Sequence, residues 1–540
     1  MRFFLTLHDP ARAAEYYGSG VWARDTFYSL LATHARQRPD APALRDCHRT
    51  VDWRTLKAWT DGMAADLRAQ GLVQGDRVCI WMSNRIEALV AFLACSREGY
   101  ACNPSLHRTY TGSDILGLLN RLQAKALVTE PGWGADPGGA NIEKLSAGAV
   151  SLRKVYAPDD FPQPGAEPSA PAVTNPDLVS YLAFTSGTTG NPKCVMHSCN
   201  TIMANARDLV KDWEVGPETH LLTLSPVSHH IAWVGVSQWL LSGCRFFLGD
   251  PPPGTTQLDW IVETGATYVM GVPTHAMDVL AQYRASGGNG LGMVKVFYMA
   301  GAAIPPSVAE SFVQLGITPQ NVYGMTENSS HQYTHREDEF DVIVNTCGRG
   351  GNSYEVRIFD PVDSNVEVAQ GVVGQIGGRG GALMLGYFGN QEATAASFND
   401  SGWFLSGDLG SLDAHGNLKI EGRLKDLIIR GGHNIYPAEI EALALRHALV
   451  DKAAAFPVAD ERLGEKVCLA IIGSAGVQEL LHHLAVEGLS KYDMPEYFLR
   501  MEKFPLTASG KVLKRELVTM AKRGDVEPVA IRFQAKKESA

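Results

Sequence analysis

The segment 184–198, with the sequence FTSGTTGNPKCVMHS, gathers hydroxyl side chains, glycines and one lysine ahead of a stretch with helical character. Hydroxyls and backbone N–H groups can surround a phosphate while a lysine supplies positive charge. The Walker A loop has its lysine directly after the last glycine, and here Pro192 stands between Gly190 and Lys193, so that motif is excluded. By itself, the segment is compatible with a solvated linker or with a phosphate-binding loop.

The composition restricts the class of protein to which such a segment can belong. The 540 residues exceed the roughly 250–300 at which a single hydrophobic core stops growing, so at least two domains are expected. The net charge of −10 disfavours a nucleic-acid or anionic-membrane surface, and an anionic ligand must therefore be held by a local positive site. The nine cysteines include no C-x-x-C pair, so neither a zinc ribbon nor a disulfide framework is indicated, and a reducing compartment is favoured.

The N-terminal region predicts no targeting or membrane segment. Its apolar run, Phe3–Leu7, is shorter than the roughly 7–15 residues of a secretory hydrophobic region. No stretch of the chain approaches the roughly 20 apolar residues of a membrane-spanning helix. We therefore expect a cytoplasmic protein without an integral membrane segment.

Alternating helices and strands must position the hydroxyls and the lysine of the segment 184–198. Residues 26–37 carry apolar side chains at helical spacing, residues 76–82 have the pattern of a buried strand, and the alternation continues through residues 295–301. This order predicts an α/β fold with a parallel sheet. After Gly371 the pattern changes to short glycine-rich strands, which include a hairpin turning at residues 415–417, and a smaller α/β unit completes the chain.

Four further segments carry a resemblance to a known family. They are NVYGMTE (321–327), GWFLSGDLG (402–410), GRLKDLIIRGGHNIYPAEIE (422–441) and PLTASGKVLKREL (505–517). In this order and spacing, together with the first segment, they resemble the adenylate-forming superfamily and, more narrowly, the acyl-CoA ligases, over nearly the whole chain. The resemblance implies an enzyme that activates a carboxylic acid with ATP as acyl-AMP, releases pyrophosphate, and then transfers the acyl group to CoA.

The resemblance implies a binding site for ATP and Mg²⁺. The residues placed around the β- and γ-phosphates belong to the first segment: Thr185, Ser186, Gly187, Thr188, Thr189, Gly190 and Lys193. Tyr323 is placed on the adenine, Thr326 at the α-phosphate and Glu327 on Mg²⁺, a cation that prefers hard oxygen ligands. Taken alone, Glu327 is also compatible with a solvated loop acid.

The ribose and the reacting groups are assigned in the same way. The resemblance implies that Asp408 accepts hydrogen bonds from both ribose hydroxyls, with Arg423 beside the same sugar. It places Lys511 between the substrate carboxylate and the α-phosphate, two anions whose repulsion a cation relieves as charge develops in the transition state. Lys511, Thr326 and Glu327 are therefore the predicted catalytic residues.

The resemblance also implies two domains that change their relative orientation. Lys425 occupies the hinge position, so residues 1–424 are predicted to form the AMP-binding domain with the acyl pocket. Residues 425–540 are then a small mobile C-terminal α/β domain that carries the adenylation lysine. Gly431 and Gly432 are placed along the pantetheine tunnel of CoA, where the absence of Cβ permits close approach, and an ordinary turn is the alternative.

The segment SPVSHHIAWVG at residues 225–235 bears on the identity of the acid. The resemblance places His229 at the mouth of the acyl pocket, near the carboxylate. If residues 229–236 are helical, Trp233 lies one turn further on the same face. Trp233 is then either a cap that shortens the pocket or an ordinary member of the core.

Small residues favour a compact substrate. The AGAAIP segment would form another wall of the pocket, and three of its members leave room for a flat or ring-shaped group: Gly301, Ala302 and Ala303. Residues 96–107 and 225–235 resemble those of cyclohexanecarboxylate-type CoA ligases, with Ser228 where an aromatic is common in the superfamily. We therefore expect a compact cyclic acid, alicyclic or aromatic.

Four alternatives remain open at this point. A luciferase-like enzyme, which oxidises the acyl-AMP, would share the adenylation step. A ligase for medium- or long-chain fatty acids would share the same motifs. An adenylation enzyme serving a carrier protein usually has an aspartate in the segment occupied here by VSHHIA, and none is present. A non-catalytic nucleotide-binding protein would be signalled by loss of Glu327 or Lys511, and both are present. The expected partners are the acid, ATP and CoA, with no nucleic acid, and the oligomeric state is left open.

Overall fold

The computed structural model describes residues 9–532 except 140, 186–191, 289, 303 and 507–511. These residues form two compact units. The first unit contains residues 9–185, 192–355 and 379–397, and the second contains residues 356–378 and 398–532. The predicted α/β fold, with a β-rich portion and a small C-terminal α/β portion, is confirmed.

Sixteen α-helices occur in the described residues. In chain order they are α1 Pro10–Ser19, α2 Phe27–Gln37, α3 Trp53–Ala69, α4 Ile86–Glu98, α5 Gly112–Leu122, α6 Ile142–Gly148, α7 Cys199–Asp212, α8 His230–Ser242, α9 Gln257–Thr264, α10 Pro273–Ala285, α11 Pro306–Gln314, α12 Phe340–Asn345, α13 Gln391–Ala395, α14 Pro437–Ala444, α15 Val477–Val486 and α16 Lys514–Arg523. Several begin at a side chain that accepts a hydrogen bond from the first turn, as Thr26 does for α2 and Ser198 for α7. The helix predicted at residues 26–37 is α2.

The same residues form twenty-five strands. In chain order they are β1 Pro42–Arg45, β2 Thr50–Asp52, β3 Arg77–Trp81, β4 Ala101–Asn103, β5 Ala126–Thr129, β6 Lys154–Tyr156, β7 Val179–Phe184, β8 Cys194–Ser198, β9 His220–Thr223, β10 Arg245–Leu248, β11 Tyr268–Gly271, β12 Val296–Ala300, β13 Thr318–Met325, β14 Ser329–Tyr333, β15 Tyr354–Phe359, β16 Gly374–Gly380, β17 Gly386–Tyr387, β18 Phe404–Leu412, β19 Leu418–Arg423, β20 Ile428–Arg430, β21 His433–Ile435, β22 Val450–Asp460, β23 Gly464–Gly473, β24 Tyr497–Arg500 and β25 Val529–Ala530. The strand predicted at residues 76–82 is β3.

An eight-stranded sheet in the first unit has the order β14-β13-β12-β11-β9-β10-β1-β2. The strands from β13 to β1 are parallel, and the edge strands β14 and β2 are antiparallel to their neighbours. Neighbouring side chains of β12 pack in different apolar clusters, Tyr298 in one and Phe297 in another. Ligands of such sheets bind beyond the carboxyl ends of the parallel strands, which directs attention to the end of β13.

A seven-stranded sheet in the same unit has the order β17-β8-β7-β4-β3-β5-β6. Strands β7, β4, β3, β5 and β6 are parallel, which confirms the predicted parallel sheet. All residues of α4 are buried, as expected for a helix enclosed by a large core. At one edge β8 and β17 are antiparallel to their neighbours, so residues 386–387 lie beside residues 195–196.

The second unit holds most of a four-stranded sheet of order β15-β16-β18-β19, and a six-stranded sheet that includes β20 to β25. The predicted hairpin is the pair β18 and β19, which turns through Gly416 at a φ of 82°, a conformation that favours glycine. The long antiparallel pair β22 and β23 packs against α14 and α16. Within the ranges described above, no helix combines the length and the apolar character needed to cross a bilayer.

Candidate active site

A tight connection between β13 and β14 carries Thr326 and Glu327. The side chain of Asn328 accepts a hydrogen bond of 3.0 Å from the last backbone N–H of β13, and Ser329 adopts a φ of 56°. Gly324 is required by the close approach of the two strands, because a Cβ there would lie 1.7 Å from the carbonyl oxygen of Ser329. The two polar side chains therefore stand at the carboxyl end of a parallel strand.

The buried imidazole of His197 holds this connection through a hydrogen bond to its backbone. Its Nε2 lies 2.7 Å from the carbonyl oxygen of Thr326, and its Nδ1 lies 2.9 Å from Oγ1 of Thr201. Burial lowers the pKa of His197 to about 4, so the ring is neutral and carries one proton. A carbonyl only accepts, so Nε2 is the donor and Nδ1 accepts from the threonine hydroxyl. His197 stands in the segment 184–198, but no role was predicted for it, and it lies inside the buried strand β8.

Glu327 and Lys193 both contact Tyr387, a residue of the edge strand β17. The Tyr387 hydroxyl donates a hydrogen bond of 3.0 Å to Oε1 of Glu327. The Lys193 Nζ lies 4.5 Å from the centre of the Tyr387 ring, within the range of a cation–π contact. The backbone of Glu327 is also fixed, since its carbonyl accepts from the N–H of Met384 at 2.7 Å. Two predicted site residues from distant segments are thus brought together by a residue that the sequence analysis missed.

Thr185 and Lys193 lie at the two ends of the connection between the antiparallel strands β7 and β8. The N–H of Thr185 donates to the carbonyl oxygen of Lys193 at 2.8 Å, which closes the ends of this connection. The other predicted phosphate-binding residues lie outside the described residues, as does the predicted catalytic lysine: Ser186, Gly187, Thr188, Thr189, Gly190 and Lys511.

Tyr323, the residue predicted to pack on adenine, lies in β13 against a buried histidine. Its ring meets that of His331 edge to face, with centroids 5.4 Å apart, and His331 in turn packs on Tyr354 at 4.2 Å. Among the described residues, neither ring nitrogen of His331 has a hydrogen-bond partner. Burial lowers the pKa of His331 to about 3, so a neutral ring supports Tyr323.

Asp408 and Arg423, predicted to hold the ribose, are opposite each other in the second unit. They are paired residues of β18 and β19, and Nε of Arg423 lies 3.4 Å from Oδ1 of Asp408. The hydroxyl of Ser406 accepts from the N–H of Asp408 at 3.0 Å and donates to a β16 carbonyl at 2.9 Å. The hairpin therefore holds the carboxylate and the guanidinium side by side, and their contact with a ribose stays a prediction.

The predicted hinge and the glycine pair lie in adjacent turns of the second unit. Lys425 is in a single 3-10 turn, Leu424–Asp426, where burial and the neighbouring charges of Arg423 and Arg515 lower its pKa. Gly431 and Gly432 connect β20 to β21 with φ values of 59° and 87°. A two-residue hairpin turn with positive φ at both positions calls for glycine, and the contact of this turn with CoA stays a prediction.

His229 caps α8 at its N-terminus and so lies one residue before the helix. Its ring packs on that of His107, with centroids 4.5 Å apart, and Nδ1 of His107 lies 3.2 Å from the hydroxyl of Ser228. Burial lowers the pKa of His107 to about 4, which keeps this ring neutral. Ser228 stands where an aromatic is common in the superfamily, and its hydroxyl is here the hydrogen-bond partner of His107. No role was predicted for His107.

The predicted small wall follows β12. Gly301 has a φ of 90°, a conformation that favours glycine, and a Cβ added there would lie 3.7 Å from the side chain of Val272. Ala302 follows as an exposed residue, and Ala303 lies outside the described residues. The glycine at position 301 is therefore explained by the backbone turn.

Trp233 belongs to the core of the first unit. Its side chain is fully buried, its ring packs on Phe92 at 4.2 Å, and its indole N–H donates to the Val227 carbonyl at 2.6 Å. We expect Trp233→Ala to lower the free energy of unfolding by about 3–5 kcal/mol, because it leaves a large cavity. Thermal melting would check this, with Trp133→Ala, at a half-buried site, as the milder control. An unchanged melting temperature with an altered substrate ranking would instead support the pocket-cap alternative.

Comparison with known proteins identifies the class of this molecule. The model of the AMP-binding enzyme family matches residues 31–388, and that of the AMP-binding enzyme C-terminal domain matches residues 439–511. The chain therefore belongs to the AMP-binding enzyme family. It is an adenylate-forming acyl-CoA synthetase, an acid–thiol ligase that uses ATP and CoA, as the resemblance implied.

Relatives along the full chain support this class. The medium-chain fatty-acid–CoA ligase of Escherichia coli (strain K12) is 28% identical over 533 residues, which cover 95% of this chain and 93% of that protein. A salicylyl-CoA synthase / salicylate adenylyltransferase from a Streptomyces species is 30% identical over 553 residues, covering 96% and 98%. The crystal structure of ATP-bound MatB from Rhodopseudomonas palustris superimposes with a TM-score of 0.81 at 27% identity, covering 92% and 99%.

Proposed function

We propose that this ligase activates a compact cyclic carboxylic acid, alicyclic or aromatic. The supporting observation is a layer of packed rings next to His229, the residue expected at the mouth of the acyl pocket. His107 packs on His229, His230 packs on Tyr181 at 5.5 Å, and Tyr181 packs on Trp233 at 5.6 Å. Both nitrogens of His230 are hydrogen-bonded as well, at 3.1 and 3.0 Å. A long acyl chain would have to displace these fixed rings, and a compact ring would not.

The predicted site residues suit adenylation. Glu327 offers a hard carboxylate oxygen, and the described residues contain no group of three or more side chains that could hold a metal by themselves. A carboxylate oxygen is the type of ligand that Mg²⁺ prefers, so Glu327 would hold this cation. When bound, Mg²⁺ neutralises phosphate charge. Lys193 would meet the outer phosphates, Thr326 the α-phosphate, and Lys511 would lie between that phosphate and the attacking carboxylate.

The second half-reaction would follow a rotation of residues 425–540 relative to residues 1–424 about Lys425. In that arrangement the turn at Gly431 and Gly432 would border the pantetheine arm of CoA, and the thiol would attack the acyl-AMP with AMP as the leaving group. We place the reaction in the cytoplasm, where the nine free cysteines of the chain stay reduced.

The proposal is tested by a substrate panel in which CoA-dependent AMP release is measured. Cyclohexanecarboxylate or benzoate is expected to have a higher kcat/KM than palmitate by about 5- to 150-fold, because overfilling a packed apolar site costs about 1–3 kcal/mol. AMP and pyrophosphate are the expected products. ADP and phosphate as products would contradict the adenylation mechanism, and faster turnover of palmitate would contradict the compact-acid proposal alone.

A medium-chain fatty acid is the second candidate substrate. It is favoured by the full-length similarity to the medium-chain fatty-acid–CoA ligase of Escherichia coli. Octanoate in the same panel separates the two candidates, since it has only one carbon more than either ring acid but needs an extended pocket. A higher kcat/KM for octanoate than for both ring acids would establish the second candidate.

A further inference from the structure

Tyr387 occupies a position where the backbone is fixed on both sides. It lies in β17, at the edge of the seven-stranded sheet, directly opposite Val195 of β8. The N–H of Phe388 donates to the carbonyl of Cys194 at 2.7 Å, and the N–H of Leu385 donates to a β8 carbonyl at 2.9 Å. Tyr387 is buried, with 4% of its surface exposed. Pairing with β8, the strand that directly follows Lys193, therefore fixes the position of Tyr387.

The hydroxyl and the ring of Tyr387 have different partners. The hydroxyl donates to Oε1 of Glu327 at 3.0 Å, since a carboxylate can only accept. The ring face receives the ammonium of Lys193 at 4.5 Å. One buried side chain thus contacts the residue expected at the outer phosphates and the residue expected at the metal.

We propose that Tyr387 is a positioning residue that holds Glu327 in the orientation needed for Mg²⁺ and keeps Lys193 beside it before the nucleotide binds. The inference rests on the proposed function, in which these two residues receive the metal and the phosphates. A hydrogen bond from a buried donor restricts the orientation of the carboxylate that accepts it. Its orientation is then settled before binding, which removes an entropic cost that a freely rotating side chain would incur.

The test separates the hydroxyl from the ring by measuring ATP affinity calorimetrically with and without Mg²⁺. Tyr387→Phe is expected to reduce the gain in affinity that Mg²⁺ provides by about 10- to 100-fold, the usual effect of losing a partner of a metal ligand. Affinity for metal-free ATP should stay unchanged, because the ring under Lys193 is retained. Tyr387→Leu should weaken metal-free ATP binding as well, because it also removes the ring.

Tyr156→Phe is the matched control. Tyr156 lies in β6, at the opposite edge of the same sheet. Its buried hydroxyl donates a hydrogen bond of 2.6 Å to Oδ1 of Asp66. This variant deletes the same kind of hydrogen bond, so it should match Tyr387→Phe in melting temperature and leave the Mg²⁺ effect intact. An equal loss of the Mg²⁺ effect in both variants, or an intact effect in Tyr387→Phe, would overturn the inference.

A double-mutant comparison with Glu327→Gln gives an independent readout. If the hydroxyl acts through the carboxylate, Tyr387→Phe should have no further effect on the Mg²⁺ gain in the Glu327→Gln background. A full additional loss there would show that Tyr387 acts by another route and would overturn the inference. Failure of the metal role proposed for Glu327 is distinguishable, because the wild-type protein would then show no gain in ATP affinity from Mg²⁺, whereas the identity of the acid does not enter this measurement.

Discussion

Lys511→Ala is expected to slow formation of acyl-AMP from the free acid and ATP by about 10²–10³-fold, the usual effect of removing a group that stabilises charge in the transition state. The carboxylate that attacks and the phosphate that is attacked are both anions, and the lysine is the cation placed between them. Thioester formation from supplied acyl-AMP should be spared, because that step contains no such pair of anions. Pyrophosphate release and acyl-CoA formation, measured separately, check the two halves.

The control for this variant is Lys522→Ala, which removes an exposed lysine from the last turn of α16. It should leave both half-reactions unchanged, because the same charge is lost from the chain without a change at the site. Equal losses in the two half-reactions of Lys511→Ala would contradict the role assigned to this lysine.

Lys425→Pro is expected to have the opposite profile. Proline fixes φ near −65° and costs about 3 kcal/mol where the backbone requires another conformation. If rotation at the 3-10 turn Leu424–Asp426 changes the φ of Lys425, transfer to CoA should fall by about 150-fold, the rate equivalent of that penalty. Formation of acyl-AMP should persist, since it needs no rotation. Single-turnover measurements of acyl-AMP and acyl-CoA would resolve the two steps.

Lys425→Ala separates the backbone effect from the loss of the side chain. It removes the ammonium while leaving φ free, so transfer to CoA should stay close to the wild-type rate. A Lys425→Pro variant with unchanged overall turnover would show that the hinge lies elsewhere. Equal losses in the alanine and proline variants would assign the effect to the lysine charge.

Local signals in the sequence determined much of the fold and the class of reaction. Helix α2 follows Thr26 because a threonine side chain can accept a hydrogen bond from its own first turn. The β18–β19 hairpin turns at Gly416 because positive φ suits glycine. These features depend on residues a few positions apart. The order and spacing of the five motifs were likewise sufficient to predict an enzyme that uses ATP and CoA, which the family match confirms.

The tertiary structure alone decided which other side chains join the site. Tyr387 is 60 positions from Glu327, and His197 is 129 positions from the Thr326 carbonyl that it binds. Neither contact has a sequence pattern, because each depends on how β17 pairs with β8 and where the β13–β14 connection ends. The spacing of Trp233 was compatible with a pocket or a core, and only the packing of α4 against its ring placed it in the core. Burial and hydrogen bonds between distant segments arise when strands pair and helices cover them, so no local pattern contains them.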